Sequence, residues 1–202
     1  MHIDTSKYRI PLGPRGPAGG QGPICPQCGV STWVELAGGF SDDAYRPNVD
    51  KRHFPTVDIV LDFQDGRLPI LHDGHAERVK MIDVLNYLGQ DEARRLMREV
   101  WRLLKPGGSF YIRTVDIIWI CQRIAEDGAA QEWLEVVFHS PGSVDRDPEA
   151  VKHGYPDEGE GHHRWAYSFE TLKEELVAAG FIGVRHDGYY NRVEMKVEAF
   201  KP

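Results

Sequence analysis

Four groups of residues in this chain have types and spacings suited to chemistry. Gly38-Gly39 ends the apolar run 32–37, and Asp50 ends the short extended piece Pro47-Asn48-Val49-Asp50. Glycine after a strand lets the backbone approach a ligand or adopt a positive φ. A carboxylate after the next strand can accept hydrogen bonds from both hydroxyls of a ribose. An ordinary turn and a solvated loop acid are the plainer readings of the same residues. His162-His163-Arg164-Trp165 supplies imidazoles whose pKa suits removal of a proton from a hydroxyl or amine. A surface loop held by hydrogen bonds also fits that pair. Cys25-Pro26-Gln27-Cys28-Gly29 has the spacing of half a zinc site, whereas a structural site normally needs four ligands. There is no second CxxC, Cys121 falls in an apolar helical run, and His139, His153, His162 and His163 are scattered. No metal ligands are therefore expected; a knuckle completed by histidines or by a second subunit, and a redox dithiol, are the lesser alternatives.

The elements that must position these residues alternate between strand and helix. Residues 32–37, 57–61 and 79–84 read as buried strands, bounded by glycine, proline and aspartate. Asp91 can cap a helix on which Ala93, Leu96, Met97, Val100, Trp101 and Leu104 recur at helical spacing. Pro106 stops that helix, Gly107-Gly108 turn the chain, and residues 110–115 return as a strand ending at Asp116. Residues 117–125 and 131–138 read as helices separated by Asp127-Gly128, and Ser168 caps a last helix stopped by Gly180. Residues 181–185 and 192–200 close the chain as strands joined near Gly188. Val193, Met195, Val197 and Ala199 alternate with Glu194, Lys196 and Glu198, so one face of the last strand is covered and the other wet. Residues 140–161 form a long loop rich in glycine and proline, a candidate lid or pocket wall.

Length and composition set the class. With 202 residues, 41% hydrophobic and 27% charged, the chain suits one globular domain. Residues 1–31 read as a Gly/Pro-rich arm carrying the CxxC, and residues 32–202 as the domain. Glycine recurs at every third position from Gly13 to Gly22, too briefly for a collagen triple helix. The net charge of −7 and the absence of a Lys/Arg run argue against nucleic acid as partner. No apolar run approaches the roughly 20 residues of a membrane span. With three cysteines and no secretory pattern, a reducing cytoplasmic setting is expected. A homodimer is left open.

Taken in order, these elements resemble the class I, Rossmann-like S-adenosylmethionine-dependent methyltransferases, and among them the small type 11 group. Leu103-Leu104-Lys105-Pro106-Gly107-Gly108 is similar to that family's LKPGG element before its fifth strand. Asp83-Val84-Leu85-Asn86-Tyr87-Leu88 stands where the family usually carries His-Val-Leu-Glu-His-Leu, and Ala179-Gly180-Phe181 resembles its entry to strand six. The likeness runs from about Trp33 to the end. It implies a three-layer α/β sandwich: a mostly parallel sheet, an antiparallel last strand and a shortened first helix, since Asp50 follows Gly39 by only 11 residues.

It further implies S-adenosylmethionine as cofactor, bound by Glu35, Ala37, Gly38 and Gly39 of a first motif. Asp50 would hold the ribose, Asp62 the adenine amino group, and Asp83 would line the site. Ala37 stands where the family prefers glycine. His163, in a stretch similar to the family's His-Arg-Trp, and Asp116 are the expected catalytic residues. A methyltransferase acting on a small-molecule or glycan-type acceptor is the implied function. A catalytically silent methyltransferase-like partner subunit is the alternative that the altered motifs suggest.

Overall fold

The computed structural model describes residues 22–38, 45, 47–51, 56–62, 66–128, 131–138, 163–190 and 193–202. Its strands are β1 (Trp33–Leu36), β2 (Asn48–Asp50), β3 (Ile59–Val60), β4 (Ala76–Ile82), β5 (Leu104–Val115), β6 (Ile182–Tyr189) and β7 (Glu194–Phe200). Its helices are α1 (Gln90–Leu103), α2 (Ile117–Asp127), α3 (Gln131–Phe138) and α4 (Phe169–Ala178), with a 3-10 turn at Leu85–Tyr87. The Gly/Pro-rich stretch of residues 1–21, Gly39, His162 and the loop 140–161 lie outside the described residues.

Strand alternation organises the sheet. On one face Val34 and Leu36 of β1, Val79 and Met81 of β4, Phe110 and Ile112 of β5, and Met195, Val197 and Ala199 of β7 are fully buried. They join one core with Ala93, Leu96, Met97 and Val100 of α1 and with Leu172 and Leu176 of α4. Burial of each valine, leucine, isoleucine, methionine or phenylalanine among them contributes about 1.5–3 kcal/mol. Intervening residues of β7 are only half-buried, as its alternating sequence predicts.

The strand order is β3-β2-β1-β4-β5-β7-β6. β1 to β5 pair in parallel, and β7 runs antiparallel between β5 and β6. This is the Rossmann-like α/β arrangement expected. Chain direction reverses its progress across the sheet between β1 and β4, the position at which open α/β sheets bind ligands.

Three local details differ from expectation. The N-cap of α1 is Gly89, two residues before Asp91, because Glu92 reaches back to accept the Gly89 N–H at 2.8 Å. Asp91 instead lies in the first turn, near the positive end of the helix. Strand β5 already begins at Leu104, before the glycine turn. The carbonyl of Lys201 accepts the Gly107 N–H at 2.9 Å, and that of Gly108 accepts the Lys201 N–H at 3.0 Å. A Cβ on Gly108 would sit 2.9 Å from the Lys105 carbonyl, so glycine is needed there for close approach. Finally, β6 continues through Gly188, whose φ of 85° accommodates the irregular pairing with β7.

Helices α1 and α4 are clamped together by charge. Arg94 meets both Glu175 carboxylate oxygens, at 2.8 and 2.7 Å, and Gln90 adds a third bond at 3.0 Å. The guanidinium holds the Glu175 carboxyl below its usual range.

Candidate functional site

The candidate site lies along the carboxyl edge of the parallel strands. Ala37 and Gly38 follow β1, Asp50 is the last residue of β2, Asp62 follows β3, Asp83 follows β4 and Asp116 follows β5. Each strand therefore delivers one expected residue or pair to a single edge. Glu35 is the exception. Its side chain lies within the sheet, buried on the face opposite Val34 and Leu36, 2.8 Å from Lys80 of its register partner strand. It also accepts the Tyr45 N–H at 2.5 Å, and burial pushes its carboxyl pKa up despite Lys80.

Two residues at this edge carry unusual backbone. Ala37, with φ of 54°, and Asp83, with φ of 55°, are the non-glycine residues in the left-handed region among those described. They terminate β1 and β4, the two neighbouring strands that flank the switch. Such conformations cost on the order of 1–2 kcal/mol and concentrate at functional sites. The turn after β1 is fixed from β2: the Val49 carbonyl accepts the Ala37 N–H at 2.6 Å, and Asn48 Oδ1 accepts the Gly38 N–H at 3.0 Å.

Asp83 is held by Arg113 of β5 through Oδ2 at 2.6 Å. Its Oδ1 is buried without a hydrogen-bond partner among the described residues. Burial pushes this carboxyl up against the pull of Arg113. Arg113 also pairs with Glu194 at 2.8 Å and stacks on Tyr190, with 4.1 Å to the ring centre. Asp50 is buried and Asp62 exposed.

The expected catalytic residues also reach this edge. The carbonyl of Asn86 accepts the N–H groups of Arg164, at 2.6 Å, and Trp165, at 3.2 Å, docking that segment on the 3-10 turn beyond β4. His163 thereby packs edge-on against Tyr87, with ring centres 5.0 Å apart. Four residues after His163, Tyr167 pairs with Asp116 in β-bridge geometry. Asp116 is itself engaged: Oδ1 caps α2 by accepting the Ile118 N–H at 2.9 Å, and Oδ2 accepts the Tyr189 hydroxyl at 2.7 Å. Burial and that carboxylate push the Tyr189 pKa up to about 12. Asn48, Asn86, Tyr87 and Tyr189 were not singled out by sequence reasoning. Their work is done by single amide or hydroxyl contacts between distant segments, which leave no spacing signal.

Residues 28–112 match the family model described as a methyltransferase domain. No protein of curated function matches the chain. Among solved structures it is similar to an S-adenosylmethionine-dependent methyltransferase of Thermotoga maritima, described as a possible histamine N-methyltransferase. That likeness has a TM-score of 0.53 and 17% identity, covering 84% of this chain and 81% of the other. A protein of Pyrococcus horikoshii gives 0.52 at 19% identity, over 84% and 81% of the two chains. An S-adenosylmethionine-dependent methyltransferase of Mesorhizobium loti gives 0.52 at 16%, over 88% and 94%. Residues 28–112 thus resemble a methyltransferase domain, and the described chain shares the fold of these structures.

In the stretch that matches the family model, the alanine at position 37 has a physical reading. A φ of 54° explains why the family favours glycine there, and why alanine is strained. Ala37→Gly should raise stability by about 1 kcal/mol, the relief of left-handed strain less the extra chain entropy of glycine. Urea unfolding would measure this; a loss of stability would mean the methyl group packs usefully against the core beside it.

At the opposite, amino edge of the parallel strands, the CxxC pair has partners that its own spacing did not reveal. Cys25 Sγ lies 3.2 Å from His72 Nε2, and Cys28 Sγ lies 3.4 Å from His75 Nδ1. The signal available was His72-Asp73-Gly74-His75, a second short ligand pair far along the chain.

Proposed function

We propose that this protein is an S-adenosylmethionine-dependent methyltransferase acting on a small-molecule or glycan-type acceptor. The observation that carries the reading is the switch between β1 and β4, flanked by left-handed Ala37 and Asp83. The residues present fit the cofactor. The carboxylates of Asp50 and Asp62 stand on the same edge, and Asp83 Oδ1 is a buried acceptor without a hydrogen-bond partner among the described residues. On this reading Asp50 binds the ribose hydroxyls and Asp62 the adenine amino group. Ala37 and Gly38, with Gly39 by its place in the sequence, would offer backbone to the amino-acid part, and Asp83 would line the site. Glu35 acts from behind, holding Lys80 and the Tyr45 backbone.

The cofactor supplies an electrophilic methyl on a sulfonium. The chain's task is to align the acceptor atom with that methyl and to exclude water. His163 is proposed to take the acceptor's proton, with Tyr87 fixing the ring's position. Asp116 is a proposed acceptor-facing acid, and its bonds to the α2 amide and Tyr189 set the direction of its carboxylate.

Calorimetric titration with S-adenosylmethionine and S-adenosylhomocysteine tests the cofactor assignment. Heat with a thermal shift is expected; neither at millimolar ligand would leave the silent partner subunit as the better reading. With an acceptor identified, His163→Ala should lower turnover by about 100-fold or more while cofactor affinity stays the same. Turnover unchanged in that variant would remove His163 from the chemistry.

A further inference from the structure

We propose that Cys25, Cys28, His72 and His75 bind one zinc ion that staples the amino ends of β1 and β4. The four ligand atoms all lie within 4.8 Å of one another. In a tetrahedral zinc site with ordinary bond lengths, sulfur and nitrogen ligands stand about 3.6 Å apart. The two Cys–His pairs, at 3.2 and 3.4 Å, are already within a few tenths of an ångström of that edge length. Two thiolates and two neutral imidazoles would balance the charge of Zn²⁺, which suits a site where Cys25 and His75 are buried. Two-sulfur, two-nitrogen tetrahedra select zinc among the common divalent ions.

The second observation is the orientation of both imidazoles. His75 Nε2 lies 2.8 Å from the Ser31 carbonyl, which can only accept, so this nitrogen carries the proton. Nδ1, the nitrogen left bare, is the one facing Cys28. His72 uses the other tautomer: Nδ1 donates to the Asp73 carbonyl at 2.8 Å, and bare Nε2 faces Cys25. Each ring thus presents its lone pair to the centre, through a backbone carbonyl of the kind that orients metal-bound histidines.

The cysteine turn is built in the same sense. The Cys25 carbonyl accepts the Gly29 N–H at 2.8 Å, and Gly29 has φ of 73°. The histidine loop is anchored independently of any ion. Arg102 of α1 bonds Asp73 at 2.5 Å and the Leu71 carbonyl at 3.0 Å, and its own carbonyl accepts the Gly74 N–H at 3.0 Å.

Four protein ligands leave no open position, so the ion is structural. Its location agrees. The ligands precede β1 and β4, at the far end of these strands from Ala37 and Asp83. These are the two neighbouring strands flanking the switch, so the ion fixes the relative position of the strands that carry the candidate cofactor turn.

Metal analysis of the full chain purified without added chelator should give one zinc per chain. Replacement by cobalt should produce the visible bands of a tetrahedral site and a thiolate-to-cobalt charge-transfer band. Cys25 and Cys28 should resist a thiol reagent until chelator is added, while exposed Cys121 reacts throughout. Chelation should lower the melting midpoint by about 10 °C or more. His72→Asn and Cys28→Ser should each lower zinc affinity at least 100-fold. If either variant does not fold, the cobalt spectrum and thiol protection of the unaltered chain decide. Zinc-free protein that takes up no cobalt, a Cys25–Cys28 disulfide in its place, or full zinc retention in both variants would each overturn the proposal.

Discussion

Asp50→Ala should weaken S-adenosylmethionine binding by about 10- to 100-fold, as measured by calorimetry. Asp50 closes β2, next to the strand that carries the Ala37-Gly38 turn, and its carbonyl accepts the Leu61 N–H at 2.9 Å. Its carbonyl is therefore tied on the β3 side, and the proposed ribose contact falls to the side chain. Hydrogen bonds to a charged group contribute about 1.5–3 kcal/mol, so the net loss of one such bond to the vicinal hydroxyls, about 1.4–2.8 kcal/mol, accounts for the expected weakening. Asp50→Asn keeps the volume and one acceptor oxygen, so it should lie between the alanine variant and the unaltered protein. Because the residue is buried, melting midpoints must accompany both titrations. Unchanged affinity in a folded Asp50→Ala protein would move the ribose contact elsewhere on the edge.

The largest stability effect near the site should come from Asn48. Asn48→Ala is expected to cost about 2–4 kcal/mol in chemical unfolding, because two backbone groups lose their partner at once. Its amide oxygen accepts the Gly38 N–H, its amide nitrogen donates to the Thr56 carbonyl at 3.3 Å, and the side chain is wholly buried. The same contact limits Gly38, where a Cβ would stand 2.7 Å from Asn48 Oδ1. Gly38→Ala should therefore be destabilising alone but add little cost in the Asn48→Ala background, where the oxygen it would strike is gone. A cost below about 0.5 kcal/mol for Asn48→Ala would show that the turn holds its shape without the amide.

Much of the fold can be read along the chain because its signals are local. The α1–β5 unit is legible through helical spacing, Pro106 and Gly107-Gly108, and β7 through its alternation of apolar and charged residues. The start of α1 at Gly89 was not, because Glu92 can cap from inside the helix as well as Asp91 can from outside. The candidate acids were legible for a related reason. An acid directly after an apolar strand falls at the carboxyl edge of a parallel sheet wherever that strand is placed.

The element order and the carboxyl-edge acids were thus determined by the sequence itself, through periodicity and punctuation that need no distant contact; the methyltransferase resemblance rests on short motifs such as Lys105-Pro106-Gly107-Gly108. Tertiary structure alone decided three other matters. It put β1 beside β4, and so made Ala37 and Asp83 the two sides of one switch. It engaged Asp116 with α2 and Tyr189, giving that acid a structural task beside any chemical one. It brought His72 and His75 to Cys25 and Cys28, each pair 47 residues apart. The physical reason is common to all three. Contacts across a sheet depend on strand order, and no local pattern in a strand records which strand will lie beside it.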